Sequence, residues 1–305
     1  MCSSDLRLDL RYMELHTPKQ FNNASLVGIF NPGSDEWHAA RAEGLGGSEI
    51  GVAMGLSPWQ SAYYLWAVKT GQIEARPVWN WAIRFGQKFE QPIMELLQEE
   101  HPDWEIYSTG TYSNNERPFM HANPDGLAKV NGEWVIVEVK TSRNYWHEVP
   151  PTYIQQVRFY MSVMGIKRAV IVGVVNMAWV EHWVEWDHFE QDVLLDQAAR
   201  FWQHVTEGTA PDWDGSASTY EAVREMHPDI NDEEVEVDGV HNLALAQQAF
   251  DEAESEFFKQ KSQVLTVMGK AKHAYFEHEG KKIRVASRQA RNGGRPYLVV
   301  NKKGK

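Results

Sequence analysis

The spacing of hydrophobic and polar residues changes from one period to another along the chain. Between residues 35 and 102, apolar residues recur at the helical spacing of three and four, as in "DEWHAARAEGLGGSEIG", "SAYYLWAVKTG" and "WNWAIRFGQKFEQPIMELLQEEHP". From residue 104 the alternation has the period of two that is typical of strands, in "WEIYSTGTYS" and in residues 125–140. The pattern therefore predicts helices first and a strand-rich region after them.

Two residues set the expected boundaries of the first helices. Ser48 follows a glycine turn and is a favourable N-cap for a short helix. Pro92 lacks the amide proton that a helix interior needs. The helical run that contains Pro92 is therefore either kinked or begins near Gln91.

Helices and strands alternate again after residue 140. A helix is predicted in "PPTYIQQVRFYMSVMG", where prolines mark the start and Gly165 marks the end. Two strands, "RAVIVGVV" and "WVEHWVEW", and a closing helix, "HFEQDVLLDQAARFWQHVTEG", follow it. This order predicts a mixed α/β domain over residues 35–207, preceded by an N-terminal segment, residues 1–34.

Residues 208–305 differ from this core in composition and charge. Residues 208–239 contain Asp, Ser and Pro and include "DINDEEVEVD", which has six acids in ten residues, so we predict an acidic linker. Residues 240–305 predict a long amphipathic helix followed by a small β-hairpin appendage. Residues 281–305 carry nine Lys or Arg and no acid, a basic end that either solubilises the chain or tracks DNA.

Composition narrows the class of protein. The 305 residues are 43% hydrophobic and include 13 Trp, which is enough for a large packed core. The formal net charge of −12 argues against a nucleic-acid binder with a generally basic surface, but not against one with a local basic channel. The single cysteine, Cys2, excludes an internal disulfide. Because no apolar leader or membrane-spanning run is present, we expect a cytoplasmic protein without a membrane partner.

The stretch "HANPDGLAKVNGEWVIVEVK", residues 121–140, places charged residues on a hairpin. Asn131-Gly132 between apolar-alternating arms is a strong signal for a two-residue type I′ turn. Such a turn fixes the register so that Asp125 lies opposite Glu138, with Cβ atoms roughly 4.5–5.5 Å apart. The period of two puts Lys140 on the same face as Glu138.

Opposed carboxylates in a sheet destabilise it, and a divalent cation would remove the conflict. Two carboxylates with carbonyl and water oxygens are ligands that Mg²⁺ accepts, and Lys140 can then orient or deprotonate a metal-bound water. The alternative is a surface hairpin in which Lys140 simply neutralises Glu138. The residues of the hairpin leave both interpretations open.

"NPDG" followed by "EVK" resembles the PD-(D/E)xK nuclease signature, and the surrounding chain resembles its lambda-exonuclease branch, the viral recombinases of the YqaJ type. The matching blocks lie within about residues 35–207, and besides these two they are "EWHAARAEGLGGSEIG", "GLSPW", "RFGQKFEQP" and "PPTYIQQVRFYMSVMG". The resemblance implies an α/β fold with a restriction-endonuclease-like mixed β-sheet core flanked by helices.

The resemblance also implies catalytic and metal-binding roles for individual residues. It selects Gln156 over Gln155, because the family places a Gln three residues after a Tyr such as Tyr153. The residues expected to be catalytic are Lys140, Glu138, Asp125 and Gln156. The expected metal ligands are Asp125, Glu138, the Val139 carbonyl and Glu90, which would hold two Mg²⁺ ions, with Mn²⁺ as a substitute.

A pocket for a 5′-terminal phosphate is implied as well, formed by Arg41, Ser48, Asn123 and Tyr153. A helix N-terminus beside a guanidinium is a chemically sensible anion site. Asn123 stands where the family often has Ser, and Arg158 where it often has Gln. Tyr160 shares the helical face of Tyr153 and Gln156, and as a core aromatic it needs no further role.

The resemblance therefore implies a Mg²⁺-dependent 5′-to-3′ double-strand DNA exonuclease of phage or prophage recombination, acting in a bacterial host cell. Its expected partners are double-stranded DNA ends and a single-strand annealing recombinase, and relatives assemble into a trimeric ring. A related DNA endonuclease, which would not need Arg41 and Ser48, is one alternative. A non-catalytic scaffold that binds DNA ends is another.

Overall fold

A computed structural model describes residues 17–76, 80–291 and 293–301 of the chain. Residues 1–16 of the predicted N-terminal segment, which include Cys2, and the last basic residues, 302–305, lie outside the described residues. The elements in chain order are β1 (Ala24–Gly28), α1 (Asp35–Ala42), β2 (Leu45–Gly46), α2 (Gly47–Ala53), α3 (Ala62–Lys69), α4 (Trp81–Glu100), β3 (Glu105–Tyr107), β4 (Thr111–Asn114), β5 (Met120–Ala122), β6 (Gly126–Val130), β7 (Glu133–Ser142), α5 (Pro151–Met164), β8 (Arg168–Val175), β9 (Ala178–Glu185), α6 (His188–Glu207), α7 (Ala217–Met226), α8 (His241–Met268), β10 (His273–His278), β11 (Lys281–Gln289) and β12 (Tyr297–Val300).

The centre of the first part of the chain is a five-stranded mixed sheet in the order β3-β6-β7-β8-β9. Strands β7 and β8 are parallel, and the other neighbouring pairs are antiparallel. Parallel neighbours need a crossover connection, which α5 provides. The predicted mixed β-sheet core flanked by helices is confirmed.

Strand β7 is buried on both faces because helices cover the sheet from both sides. Its odd-numbered residues face a cluster that includes Ile93 and Leu97 of α4 and Trp104; we call this cluster the α4-side core. Ile136 faces the opposite, larger cluster, which includes Phe159 and Met161 of α5 and which we call the α5-side core. The functional side chains lie at the end of β7 on this second face.

A second sheet, ordered β1-β4-β5-β2, packs in the α5-side core through Ala24, Tyr112 and Met120. The stretch "WEIYSTGTYS", predicted as one strand, is in fact divided between the two sheets as β3 and β4. Gly110 lies at this break, where its Cα approaches the Gly28 backbone too closely for any side chain.

The α4 helix is continuous through Pro92, so of the two alternatives the one in which a helix begins near Gln91 is wrong. The helix begins instead after Asn80, whose side chain caps it by accepting a hydrogen bond from the Ile83 amide at 2.9 Å. Pro92 is exposed to solvent, so water can satisfy the carbonyl that the missing amide leaves unpaired. Ile93 and Leu97 pack on the sheet and hold the helix in place.

Residues 208–239, predicted as a linker, contain the helix α7. Its Ser216 cap accepts a hydrogen bond from the Thr219 amide, and Ala222 is fully buried in the α5-side core. The acidic residues of "DINDEEVEVD" follow this helix and are exposed. Compact packing of the first unit therefore extends beyond α6, and the described chain divides between Ile230 and Asn231.

The second unit consists of α8 and a three-stranded antiparallel sheet, β10-β11-β12. The predicted helix and both predicted strands are present, and β10 is an additional strand that pairs with β11. None of the described residues of α8 is buried. Across the described part of the chain, no helix is both long enough and apolar enough to cross a membrane.

Candidate active site

The hairpin of β6 and β7 has the predicted register. Val130 pairs with Glu133, and the pairing continues to Gly126 and Val137. Asn131 and Gly132 both have positive φ, at 52° and 83°, as a type I′ turn requires. One step beyond the last pair, the Val139 amide donates a hydrogen bond to Asp125 Oδ2 at 2.7 Å, which brings Asp125 to the end of β7.

Glu138 is the most deeply buried of the charged groups at this end of β7, with 2% of its side chain exposed. Its Oε1 accepts hydrogen bonds from Lys140 Nζ at 2.5 Å and from Gln156 Nε2 at 2.6 Å. Its Oε2 is buried without any hydrogen-bond partner. A buried carboxylate oxygen without a partner is costly, so this position favours a positively charged or hydrogen-donating ligand.

The carboxylates at this site repel one another, and their pKa values reflect it. Burial, followed by the charge of Asp125, raises the pKa of Glu138 to about 8 despite the opposing Lys140. Burial and Asp125 likewise raise the pKa of Glu90, on α4, to about 7. Burial also raises the pKa of Asp125, against the charge of Lys140. Burial therefore favours the protonated forms of these carboxyl groups unless a further positive charge binds beside them.

One face of α5 completes the surroundings of Glu138, as the helical spacing predicts. Lys140 Nζ lies 4.9 Å from the ring centroid of Tyr153, a cation–π contact. Gln156 donates its second amide hydrogen to the Tyr160 hydroxyl at 3.0 Å. Gln156, and not Gln155, is the residue that reaches Glu138. Arg158 points elsewhere, since it forms an ion pair with Glu190 on α6 at 2.7 Å.

The donor groups at this site fit a divalent cation. Two neighbouring carboxylates with raised pKa values, one of them with an unpartnered oxygen, form an arrangement that a hard cation with oxygen ligands stabilises. Among the described residues, no group of three or more His, Cys, Asp and Glu side chains is gathered closely enough to hold a metal. Glu90 therefore contributes charge to this site without forming such a group with Asp125 and Glu138.

Arg41 and Ser48 lie together, as expected, but Ser48 is not the N-cap of α2. Gly46 occupies that position, and Glu49 caps the helix by accepting a hydrogen bond from the Gly46 amide at 2.9 Å. Arg41 Nη2 lies 3.3 Å from Ser48 Oγ and 2.9 Å from Glu49 Oε1. The guanidinium also stacks over Trp37, 4.7 Å from the ring centroid.

Sequence reasoning did not find Lys69, which belongs to the same cluster. Its ammonium forms an ion pair with Glu49 at 2.9 Å and donates to the carbonyls of Arg41 and Gly44 at 2.6 and 2.7 Å. Burial raises the pKa of Glu49, but Arg41 and Lys69 outweigh this effect and hold it below its ordinary value. Lys69 comes from α3, so no local spacing signals the contact.

Two cavities connect the cluster around Arg41 with the acidic site. A small one, of about 30 Å³, is lined by Arg41, Ser48 and Tyr160, among others. An open groove of about 840 Å³ is lined by Glu90 and Asp125. Trp37 and Asn123 line both cavities, and Asn123 is held by a hydrogen bond from Thr111 Oγ1 at 2.7 Å.

Tyr160 joins the two places physically. Its hydroxyl accepts the hydrogen bond from Gln156, and its ring lies against Gly47 at the start of α2. A Cβ atom at Gly47 would lie only 2.3 Å from this ring, so the contact requires glycine. Tyr160 was predicted to be a core aromatic, and its burial agrees with that prediction. Its hydroxyl also accepts a hydrogen bond from Gln156, which links the surroundings of Glu138 to those of Arg41.

Residues 36–167 match the family model described as the YqaJ-like viral recombinase domain. The matched region contains the residues described around Glu138 and Arg41. An uncharacterized protein, YqaJ of Bacillus subtilis strain 168, is 30% identical to this chain over 205 residues. The match covers 63% of this chain and 63% of that protein, so it spans less than two-thirds of the relative's length.

Solved structures similar to this chain include two exonucleases. A crystal structure of an alkaline exonuclease from Laribacter hongkongensis has a TM-score of 0.49 and 18% identity, covering 58% of this chain and 94% of that one. A phage related exonuclease from Haemophilus somnus 129PT has a TM-score of 0.41 and 12% identity, covering 55% of this chain and 96% of that one.

Proposed function

We propose that this protein is a metal-dependent deoxyribonuclease that hydrolyses double-stranded DNA from 5′-phosphorylated ends in the 5′-to-3′ direction. The observation that carries the proposal is the buried Glu138 carboxylate, with one oxygen unpartnered and the other bound by Lys140, beside Asp125. An acid pair and a lysine in this arrangement suit hydrolysis of a phosphodiester, whose charge must be neutralised as it reacts.

Asp125 and Glu138 would hold the metal ion, with the Val139 carbonyl as a further ligand and Glu90 at the wall of the groove. Mg²⁺ is the ion that suits these oxygen ligands best, and we expect Mn²⁺ to replace it and two ions to take part. When bound, the metal would supply Lewis-acid stabilisation of the phosphate and lower the pKa of water.

The side chains of the protein orient the reaction. Lys140 is fixed between the Glu138 carboxylate and the Tyr153 ring, so its ammonium has one position from which to stabilise negative charge or hold a water. Gln156 keeps Glu138 from turning by donating to its Oε1. All of these contacts are made between side chains of the protein, and such preorganisation favours electrostatic catalysis.

Arg41 and Ser48 would bind the terminal 5′ phosphate, and Asn123 and Tyr153 would contact the same end of the strand. A guanidinium and a hydroxyl at the start of α2 suit this ligand. Asn123 lines both the small cavity and the acidic groove, which would let one DNA strand pass from the pocket to the carboxylates. Binding of the terminus would restrict cutting to DNA ends.

The biological setting follows from the domain type and belongs to the same proposal. We expect a role in phage or prophage recombination in the cytoplasm of a bacterial host, with a single-strand annealing protein as partner. We also expect assembly into a ring-shaped homotrimer around DNA. A local basic channel in such a ring would be compatible with the overall charge of −12.

The proposal is tested by digestion of linear duplex DNA with a 5′-phosphate or a 5′-hydroxyl, in Mg²⁺ or EDTA, with the wild type and Lys140→Ala. Loss of the phosphorylated strand in Mg²⁺ only, abolished by Lys140→Ala, is the expected result. Equal cutting of both ends and of closed circular DNA would show a DNA endonuclease instead. Binding of DNA ends without cutting would show a non-catalytic scaffold.

A further inference from the structure

The two halves of the proposed phosphate pocket come from separate helices, and something must fix the distance between them. Arg41 ends α1, Ser48 starts α2, and a short turn through Gly44 joins them. Within the turn, the pairing of β2 with β5 holds the backbone of Leu45 and Gly46, but this pairing does not include Arg41. The tie comes from Lys69, on a third helix.

All three hydrogens of the Lys69 ammonium have partners in or beside this turn. These partners are the carbonyls of Arg41 and Gly44, and Glu49 Oε2. Only 4% of the Lys69 side chain is exposed, so these contacts are made away from water. An ammonium buried in this way is stable only while all of its partners remain in place.

Glu49 transmits this constraint to Arg41. Its Oε2 binds Lys69 and the Gly46 amide, while its Oε1 binds the Arg41 guanidinium at 2.9 Å. Trp37 covers the guanidinium from the other side. Arg41 is thereby held in one orientation, with Ser48 beside it and one third of its side chain exposed to the cavity.

We propose that Lys69 and Glu49 are positioning residues that hold the Arg41 guanidinium ready for a terminal phosphate, and so determine the preference for phosphorylated ends. Neither residue touches the DNA in this proposal. The inference rests on the proposed function of the pocket. Its consequence is specific, because weakening the tie lowers discrimination between DNA ends while the reaction at Glu138 is preserved.

Lys69→Met tests this, because methionine keeps the apolar stem and removes the ammonium. Arg76→Met is the matched control. It removes a cation that lies just beyond the end of α3, and the ion-pair partner of that cation, Glu225, lies outside the pocket. For each variant, kcat and KM are measured on linear duplexes that differ only in a 5′-phosphate or 5′-hydroxyl. Thermal unfolding is recorded in parallel to establish that each variant is folded.

We expect Lys69→Met to raise KM for the phosphorylated duplex at least about tenfold, because even small misplacement of a positioning group has effects of this size or larger. Its kcat, and its rate on the hydroxyl-ended duplex, should stay within about twofold of the wild type, as should every value for Arg76→Met. An equal fall in kcat/KM on both duplexes would mean that Lys69 has a merely structural role. An unchanged ratio of kcat/KM between the phosphorylated and the hydroxyl-ended duplex would also overturn the inference.

Glu49→Gln provides a second route if Lys69→Met does not fold. It keeps the shape of the side chain and removes the charge that binds Arg41, so the same loss of preference is expected. Binding of both duplexes in EDTA, followed by fluorescence anisotropy, separates the two proposals. A wild type that binds phosphorylated ends more tightly in EDTA but does not cut them in Mg²⁺ contradicts the nuclease, whereas wild-type preference in both variants contradicts the positioning role.

Discussion

Gly173 is the position at which a single methyl group would most directly disturb the site. It pairs with Lys140 across the parallel strands β7 and β8 and has a φ of 155°. A Cβ atom there would lie 1.8 Å from the Lys140 carbonyl oxygen, whereas real Cβ contacts do not fall below 3.0 Å. Gly173→Ala therefore requires the two backbones to move apart by more than an ångström.

The expected cost has two parts, an unfavourable φ and a backbone clash, which together amount to about 2–6 kcal/mol. For a folded unit of this size, that corresponds to a fall in Tm of roughly 5–20 °C. The movement also displaces Lys140 from Glu138, and a misplacement of about 1 Å in a catalytic group lowers activity by about 100-fold.

Thermal unfolding and the rate of duplex digestion are measured for Gly173→Ala beside Gly86→Ala. Gly86 lies on α4 against the same strand, but its added Cβ would meet nothing closer than Thr141 Oγ1 at 3.6 Å. Gly86→Ala should match the wild type or be more stable by about 0.5–1 kcal/mol. Wild-type Tm and activity in Gly173→Ala would refute the reasoning about this close approach.

Three further predictions follow from the site and the core. A protonated carboxyl group does not bind a metal ion, and the pKa values of Glu138 and Glu90 are about 8 and 7. The affinity for Mg²⁺ should therefore rise between pH 6 and 9, by roughly tenfold per pH unit for each ligand that must lose a proton. Equal affinities in calorimetric titrations at pH 6 and pH 9 would contradict this prediction. Tyr160→Phe should lower the digestion rate about tenfold, at a stability cost of about 1 kcal/mol, because one of the two Gln156 amide hydrogens loses its acceptor. Tyr63→Phe loses only a weak contact to a sulfur and should keep the wild-type rate, so equal rates in both variants would count against a role for the Tyr160 hydroxyl. Ala222→Glu should lower the free energy of unfolding by about 3 kcal/mol or more in urea titration, because that position is fully buried, and an unchanged midpoint would show that α7 does not belong to the core.

The sequence predicted best those features that short-range chemistry determines. The Asn131-Gly132 turn fixed the pairing of β6 with β7, because only a few backbone conformations close a two-residue loop. The helical spacing of α5 likewise brought Tyr153 and Gln156 to the same face, where they contact Lys140 and Glu138. In each case, residues a few positions apart carried the information.

Contacts between distant residues could not be predicted in the same way. Lys69 reaches Glu49 from a neighbouring helix, and the β1-β4-β5-β2 sheet joins strands from four places in the chain. The Pro92 helix shows the opposite case, in which tertiary packing by Ile93 and Leu97 outweighs a local preference. The α7 helix is short and polar in sequence, and its burial depends on partners far along the chain.

The two-sided burial of β7 also bears on how the chain avoids misfolding. A shift of one residue against β6 would move the Glu138 carboxylate to the face of Val137 and Val139, among Ile93, Leu97 and Trp104. A charged group placed among these apolar side chains would cost several kcal/mol. The Glu138 carboxylate of the candidate active site would thus also protect the register of the sheet, since a one-residue error in strand pairing would bury a charge among apolar side chains.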